Sequence, residues 1–156
     1  MVFCERFPSV FRCAILGGTV GLMGLGGCTP GPPTKTLECE SLLAIAHDVQ
    51  SQTKAMGTQD NTQDGEPWQK MSPIFTTASE DLKKLTPTDP QIQTYRDDLA
   101  RVYHDYGQAN EEMVRARREK NRTLASQAQT RVQAAGDREL TLSAAINQYC
   151  GTEETP

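Results

Sequence analysis

"DPQIQTYRDDLARVYHDYGQANEEMVRA", residues 89–116, is the stretch on which the fold turns. Ile92, Tyr95, Leu99, Val102, Tyr106, Ala109, Met113 and Ala116 recur at alternating spacings of three and four without a break. A strand repeats every two residues, so this rhythm belongs to a helix with a narrow, coiled-coil-like apolar seam. Asp89 has the short acceptor side chain of an N-cap. Pro90 suits the first helical position, where its missing N–H is not needed. A helix of about 28 residues spans roughly 42 Å.

The same habit extends to both sides. A helix is predicted from about Pro67 to Leu85, with Ile74, Phe75, Ala78, Leu82 and Leu85 on its apolar face. Pro73 either kinks that helix or starts it, with Ser72 as N-cap. "TPTD" at 86–89 makes a tight connection into the long helix. Beyond it, a fourth helix from about Asn121 to Tyr149 carries Leu124, Ala128, Val132, Ala135, Leu142, Ile146 and Tyr149. Glu139 falls in that seam, and Gly136 weakens its middle. The turn between these two helices is expected near Lys120–Asn121. At the front, Thr36 to about Met56 places Cys39, Leu42, Leu43, Ala46, Val49, Thr53 and Met56 on one face, and Gly57 stops it. "GTQDNTQDGEP", residues 57–67, reads as a polar, mobile loop without the spacing or terminal Glu of a calcium loop.

Four helices with short connections favour an all-α, up-down-up-down four-helix bundle over residues 36–151, followed by a disordered tail at 152–156. Composition agrees. The chain of 156 residues has 37% hydrophobic and 6% aromatic residues, which suits narrow helical stripes better than a thick sandwich core. A net charge of −4 argues against general nucleic-acid binding, which needs a basic footprint.

The first residues read as an address. Arg6 and Arg12 precede "CAILGGTVGLMGLGG", 15 apolar and small residues from Cys13 to Gly27. A bilayer-spanning helix needs roughly 20 residues, and the glycines weaken this one further. A basic start, a short apolar run and small residues at its end describe a signal peptide over residues 1–27. Leu25, Gly26, Gly27 and Cys28 then resemble the lipobox of bacterial lipoproteins: an apolar residue, two small residues and a cysteine. That resemblance implies acylation of the Cys28 thiol and cleavage just before it, with Leu25, Gly26 and Gly27 recognised by the peptidase. Two or three acyl chains hold a protein to a membrane, where one binds only marginally. The proline-rich linker, residues 28–35, would hold the body roughly 20 Å off that surface. The implied location is the extracytoplasmic face of a bacterial membrane, on the periplasmic side of the inner or outer one.

Processing also simplifies the five cysteines. Cys4 and Cys13 leave with the signal peptide, and Cys28 becomes a thioether. Cys39 and Cys150 remain, and in an exported protein such a pair predicts a disulfide. An up-down-up-down bundle puts the start of its first helix and the end of its fourth at one end, which is where these two cysteines fall. "LECESLLAIAHD", "DPQIQTYRDDLARVYHDY" and "AINQYC" together resemble small helical-bundle lipoproteins of uncharacterised function, found in bacteria including photosynthetic ones. The resemblance brings no catalytic residues with it.

No P-loop, HExxH, CxxC pair or G-x-S-x-G motif occurs in the chain. His47-Asp48 and His104-Asp105 point about 100° apart on a helix, so neither is an acid–base couple. The Glu-x-x-His spacing of di-iron bundles is missing, and neither a cofactor nor a metal is expected. Tyr95, Tyr103, Tyr106 and Tyr149 read as packing residues. Arg115, Arg117, Arg118, Lys120 and Arg122 form a basic cluster interrupted by Glu119. They would complement a helix C-terminus or receive an anionic lipid head group, wall polymer or acidic protein. The expectation is a lipid-anchored, non-catalytic binding or assembly module. An auxiliary subunit of a membrane protein complex is the alternative, and a metal-using enzyme a remote one.

Overall fold

The computed structural model describes residues 34–57 and 66–151. Among them are four helices: α1 (Thr34–Gly57), α2 (Glu66–Lys84), α3 (Pro90–Arg118) and α4 (Arg122–Gly151). The signal-peptide reading, Leu25, Gly26, Gly27, Cys28, most of the proline-rich linker, the loop at 58–65 and the tail at 152–156 lie outside the described residues. The linker reading at 28–35 runs two residues too far, because α1 already includes Thr34 and Lys35. No proline follows Pro33 in that stretch to delay helix formation.

Cross-helix pairs define the topology. Ser79 Oγ donates to the Ala100 carbonyl at 2.8 Å, and Ser72 Oγ lies 3.2 Å from the Gly107 carbonyl. The partner number rises on α3 as it falls on α2, so the two helices are antiparallel. Asp105–Arg138 at 2.6 Å and Glu112–Arg131 at 2.8 Å show the same for α3 and α4. The described residues form an up-down-up-down four-helix bundle, as the periodicity predicts.

α3 is its central element, packing extensively against both α2 and α4. The expected seam is buried at Ile92, Leu99, Val102, Ala109 and Ala116. Facing it, Ala128 and Ala135 of α4 are fully buried. Four alanines in one seam let two helix axes approach closely. A second row, Ala100, Tyr103, Gly107 and Asn110, is also buried and meets α2. Phe75 of α2 stacks on Tyr106, ring centroids 4.7 Å apart, and tilts against Tyr103 at 5.9 Å. Gly107 is needed there, since a Cβ would come within 2.8 Å of Thr76 Oγ1.

α2 runs unbroken through Pro73, whose side chain faces out. Ser72 is therefore not the N-cap that one reading of Pro73 required. It is buried against α3, where its hydroxyl also lies 3.1 Å from the Glu111 carboxylate.

α1 is held differently. Cys39, Leu42 and Val49 are buried, yet α1 leans mainly on α2 and touches α3 and α4 little. Its start is fastened instead. Cys39 and Cys150 stand at disulfide distance, with Sγ atoms 2.06 Å and Cα atoms 5.7 Å apart. Beside them the Glu38 carboxylate accepts from Thr88 Oγ1 at 2.7 Å, Thr88 N–H at 2.8 Å and Asp89 N–H at 3.1 Å. Asp89, the expected N-cap, accepts from the N–H groups of Gln91 and Ile92 and from the Tyr149 hydroxyl. Lys35 lies 4.2 Å over the Tyr149 ring. One carboxylate pair thus ties α1, the α2–α3 turn and α4 together.

These bonds hold both carboxyls below their ordinary range. For Glu38 the Thr88 hydroxyl is the main cause, and for Asp89 the Ile92 amide and then Tyr149. Folded values depressed in this way add stability above the unfolded pKa, about 4 for both groups, which is lost as pH falls through the folded values. Melting temperature should therefore fall on acidification below about pH 4, and Glu38→Gln should flatten that slope. A slope identical in the variant would refute the assignment. Reducing the Cys39–Cys150 bridge, which closes a loop with a sequence separation of 111, should lower unfolding free energy by about 4–5 kcal/mol in urea titrations.

Candidate functional site: the basic tip

The α3–α4 turn is short and fully accounted for. α3 ends at Arg118 with Glu119 as C-cap, and Lys120 then takes φ 53°, the left-handed region. The Asn121 amide donates to the Ala116 carbonyl at 2.8 Å and the Lys120 amide to Arg117 at 3.1 Å. This pair of bonds is a Schellman motif, which satisfies the last carbonyls of a helix. Asn121 then reverses role. Its side-chain oxygen accepts from the Leu124 amide at 3.0 Å and caps α4. The turn falls where it was expected, and Asn121 itself is the cap, so α4 starts at Arg122.

That local geometry brings the predicted cations together. Arg115, Arg117 and Arg118 occupy the last turn of α3, Lys120 the turn itself and Arg122 the first position of α4; all five are exposed. None of them forms an ion pair among the described residues. The charged pairs further along α3 and α4, by contrast, do cross-link those helices. Arg117 has one fixed neighbour, its guanidinium carbon lying 4.1 Å from the centre of the Trp68 ring at the start of α2. This contact gives the single tryptophan of the chain a place that sequence periodicity did not.

The N-termini of α2 and α4 lie at the same end as the C-termini of α1 and α3, so the helix dipoles largely offset one another and the positive field comes from the side chains. Lys54, in the last turn of α1, adds another cation. Beside the tip, an open depression of about 580 Å³ lies between α2 and α3, with Arg115 and Arg118 on one wall and Gln69, Ser72 and Thr76 on the other. Glu111 also lines it, and weakens it as a seat for one small anion. The chemistry this arrangement can offer is attraction and hydrogen bonding to extended negative charge.

The other candidates fall elsewhere. His47 and His104 are exposed and make no couple with their neighbouring aspartates. Tyr95 meets Tyr149 edge to face at 5.7 Å, while Tyr103 and Tyr106 pack with Phe75, as packing residues should. Burial, and then the negative charge of Glu139, push both Tyr103 and Tyr106 well above the ordinary phenol range. Among the described residues no three His, Cys, Asp or Glu side chains gather as metal ligands. No helix among them is long and apolar enough to cross a membrane. No protein-family description, curated protein or solved structure matches the chain.

Lys120 carries a cost, since a side chain in the left-handed region crowds its own backbone by about 1–2 kcal/mol. Glycine is the usual occupant at this position. Lys120→Gly should accordingly raise unfolding free energy by roughly 1 kcal/mol in a urea titration. A neutral or destabilising result would mean that the lysine side chain holds the turn by a contact of its own.

Proposed function

We propose that the chain is a bacterial lipoprotein, anchored through acyl chains on Cys28, whose helical bundle is a non-catalytic binding or assembly module facing the extracytoplasmic space. The observation that carries the binding part is the tip: five exposed cations that form no ion pair among the described residues, one of them in a strained backbone position where glycine would be cheaper. The disulfide-distance pair supports an oxidising compartment, because cytosolic thiols stay reduced.

Connectivity adds a direction to this reading. Cys28 precedes the start of α1 at Thr34 by six residues, so an anchor there tethers the end of the bundle that holds Cys39 and Cys150. The basic tip is the other end, a helix length of roughly 42 Å away. An anionic partner, such as an acidic protein, a wall polymer or the head groups of a facing lipid surface, would then be met at a distance from the anchoring membrane. As an auxiliary subunit of a membrane complex, the protein would use the same tip against an acidic subunit.

Two measurements test the reading. Mass spectrometry of the mature N-terminus should find Cys28 as the first residue, carrying diacylglycerol; an unacylated start or a retained Met1 would end the lipoprotein reading. Reversing Arg115, Arg117 and Arg118 to Glu should abolish salt-sensitive capture of partners by the lipidated protein. It should lower the melting temperature by only a few degrees while unfolding stays cooperative, because Arg117 leaves the Trp68 ring and glutamates oppose the helix C-terminus, but no ion pair among the described residues is lost. Capture unchanged by the reversal would exclude the tip as the binding surface. Co-migration with a large complex on native gels would favour the subunit over a free-standing module.

A further inference from the structure

A second feature lies near the disulfide end, independent of the anchor and the tip. α1 and α4 are joined at Cys39–Cys150 but otherwise touch little, and a groove opens between them. Its volume is about 220 Å³. Leu99 and Tyr103 of α3 line it, together with Leu42 and Ala46 of α1 and Ile146 of α4. Leu42 at 0% exposure and Tyr103 at 1% belong to the core beneath it, and the part-exposed Leu43 and Ala46 supply its apolar surface. Glu139 lines the same groove.

Glu139 is out of place by its sequence position. It stands seven residues from Val132 and seven from Ile146, in the row that faces the bundle interior. It is half-buried, and accepts one hydrogen bond, from the Tyr106 hydroxyl at 2.9 Å. No Lys or Arg forms an ion pair with it among the described residues. The adjacent Arg138 is engaged with Asp105 at 2.6 Å. A half-buried carboxylate without a counterion is costly, and a leucine there would cost less. His47 of α1, an exposed imidazole, lines the same groove. The Ser143 and Asn147 side chains on α4 add hydrogen-bond acceptors.

We propose that the groove between α1 and α4 is a binding site for a small organic ammonium ion, with the charged head against Glu139 and the alkyl part along the part-exposed Leu43 and Ala46. Charge selects the class: the groove presents a carboxylate with no ion pair among the described residues, and apart from the His47 imidazole no basic side chain lines it. Size restricts it further, because drug-sized ligands occupy roughly 300–1,000 Å³ and this groove is smaller. An anion would meet Glu139 as a like charge, and a neutral alcohol would leave the carboxylate unpaired.

The test is a titration of the isotope-labelled full-length protein with n-butylammonium, followed by amide chemical shifts. n-Butanol and butyrate serve as probes of matching size. The ammonium ion alone should produce saturable shifts, confined to residues 42–50, 99–106 and 139–147. Glu139→Gln keeps the shape and can still accept from Tyr106; it should weaken binding by about tenfold or more, as expected for the loss of one charge-assisted contact. Ala46→Phe fills the groove from α1 without touching the carboxylate, and should also block binding while melting cooperatively. The proposal fails if butanol shifts the same residues equally, if both variants bind like the parent, or if no saturation occurs up to about 100 mM ligand. Should Glu139→Gln fail to fold, Ala46→Phe and the neutral probe decide the matter alone.

Discussion

The bundle depends on α3 burying two faces at once. Its Ile92–Ala116 seam closes against α4, while Ala100, Tyr103, Gly107 and Asn110 close against α2. Burial over so wide an arc requires small residues where neighbouring helices approach, since large ones on both sides would push the axes apart. Gly107, Ala109, Ala116, Ala128 and Ala135 meet that need. The core is accordingly slender. Few large side chains are fully buried, and much of the cohesion comes from close helix contact and from serine hydroxyls capturing the carbonyls of α3.

α1 lies outside that arrangement, and the molecule compensates at one end. The bridge to α4 and the bonds of Glu38 to the α2–α3 turn fix where α1 begins. Farther along, α1 follows α2 and leaves α4 exposed to a groove. Loose lateral packing and tight terminal fastening are two aspects of one design. A helix with only Cys39, Leu42 and Val49 fully buried cannot be held by apolar area alone. The chain-entropy effect of a long closed loop supplies part of what burial does not.

Charge is divided between the ends of the bundle. Carboxylates at the disulfide end are consumed by amides and hydroxyls, as Glu38 and Asp89 illustrate. Cations at the tip are exposed and form no ion pair among the described residues, and Arg117 rests on Trp68. Lys120 makes the contrast sharper, because its backbone conformation is one that glycine adopts without strain. Stability is therefore conceded at the end that the proposed function uses.

Periodicity made the four helices and the first seam of α3 legible without coordinates, residue type the Asp89 cap, and the cysteine count together with the bundle topology the Cys39–Cys150 pairing. Each of these depends on residue type and spacing along the chain or on the topology that spacing implies. The second face of α3 has the same alternation of three and four, from Arg96 through Ala100, Tyr103, Gly107 and Asn110 to Val114. It is not legible as a seam because its residues are not uniformly apolar: glycine and asparagine are buried there by close backbone approach and local hydrogen bonding. Pro73 was ambiguous for a related reason, since a helix continues through proline when its neighbours pack well enough to offset the lost bond. The five cations were visible as a cluster in sequence, and that they form no ion pair among the described residues was not. Local spacing determined which segments are helices and in what order they run. Only packing in three dimensions decided that Trp68 meets Arg117, that Glu139 faces a groove and that α1 stands apart, because these depend on distances between residues far apart in the chain.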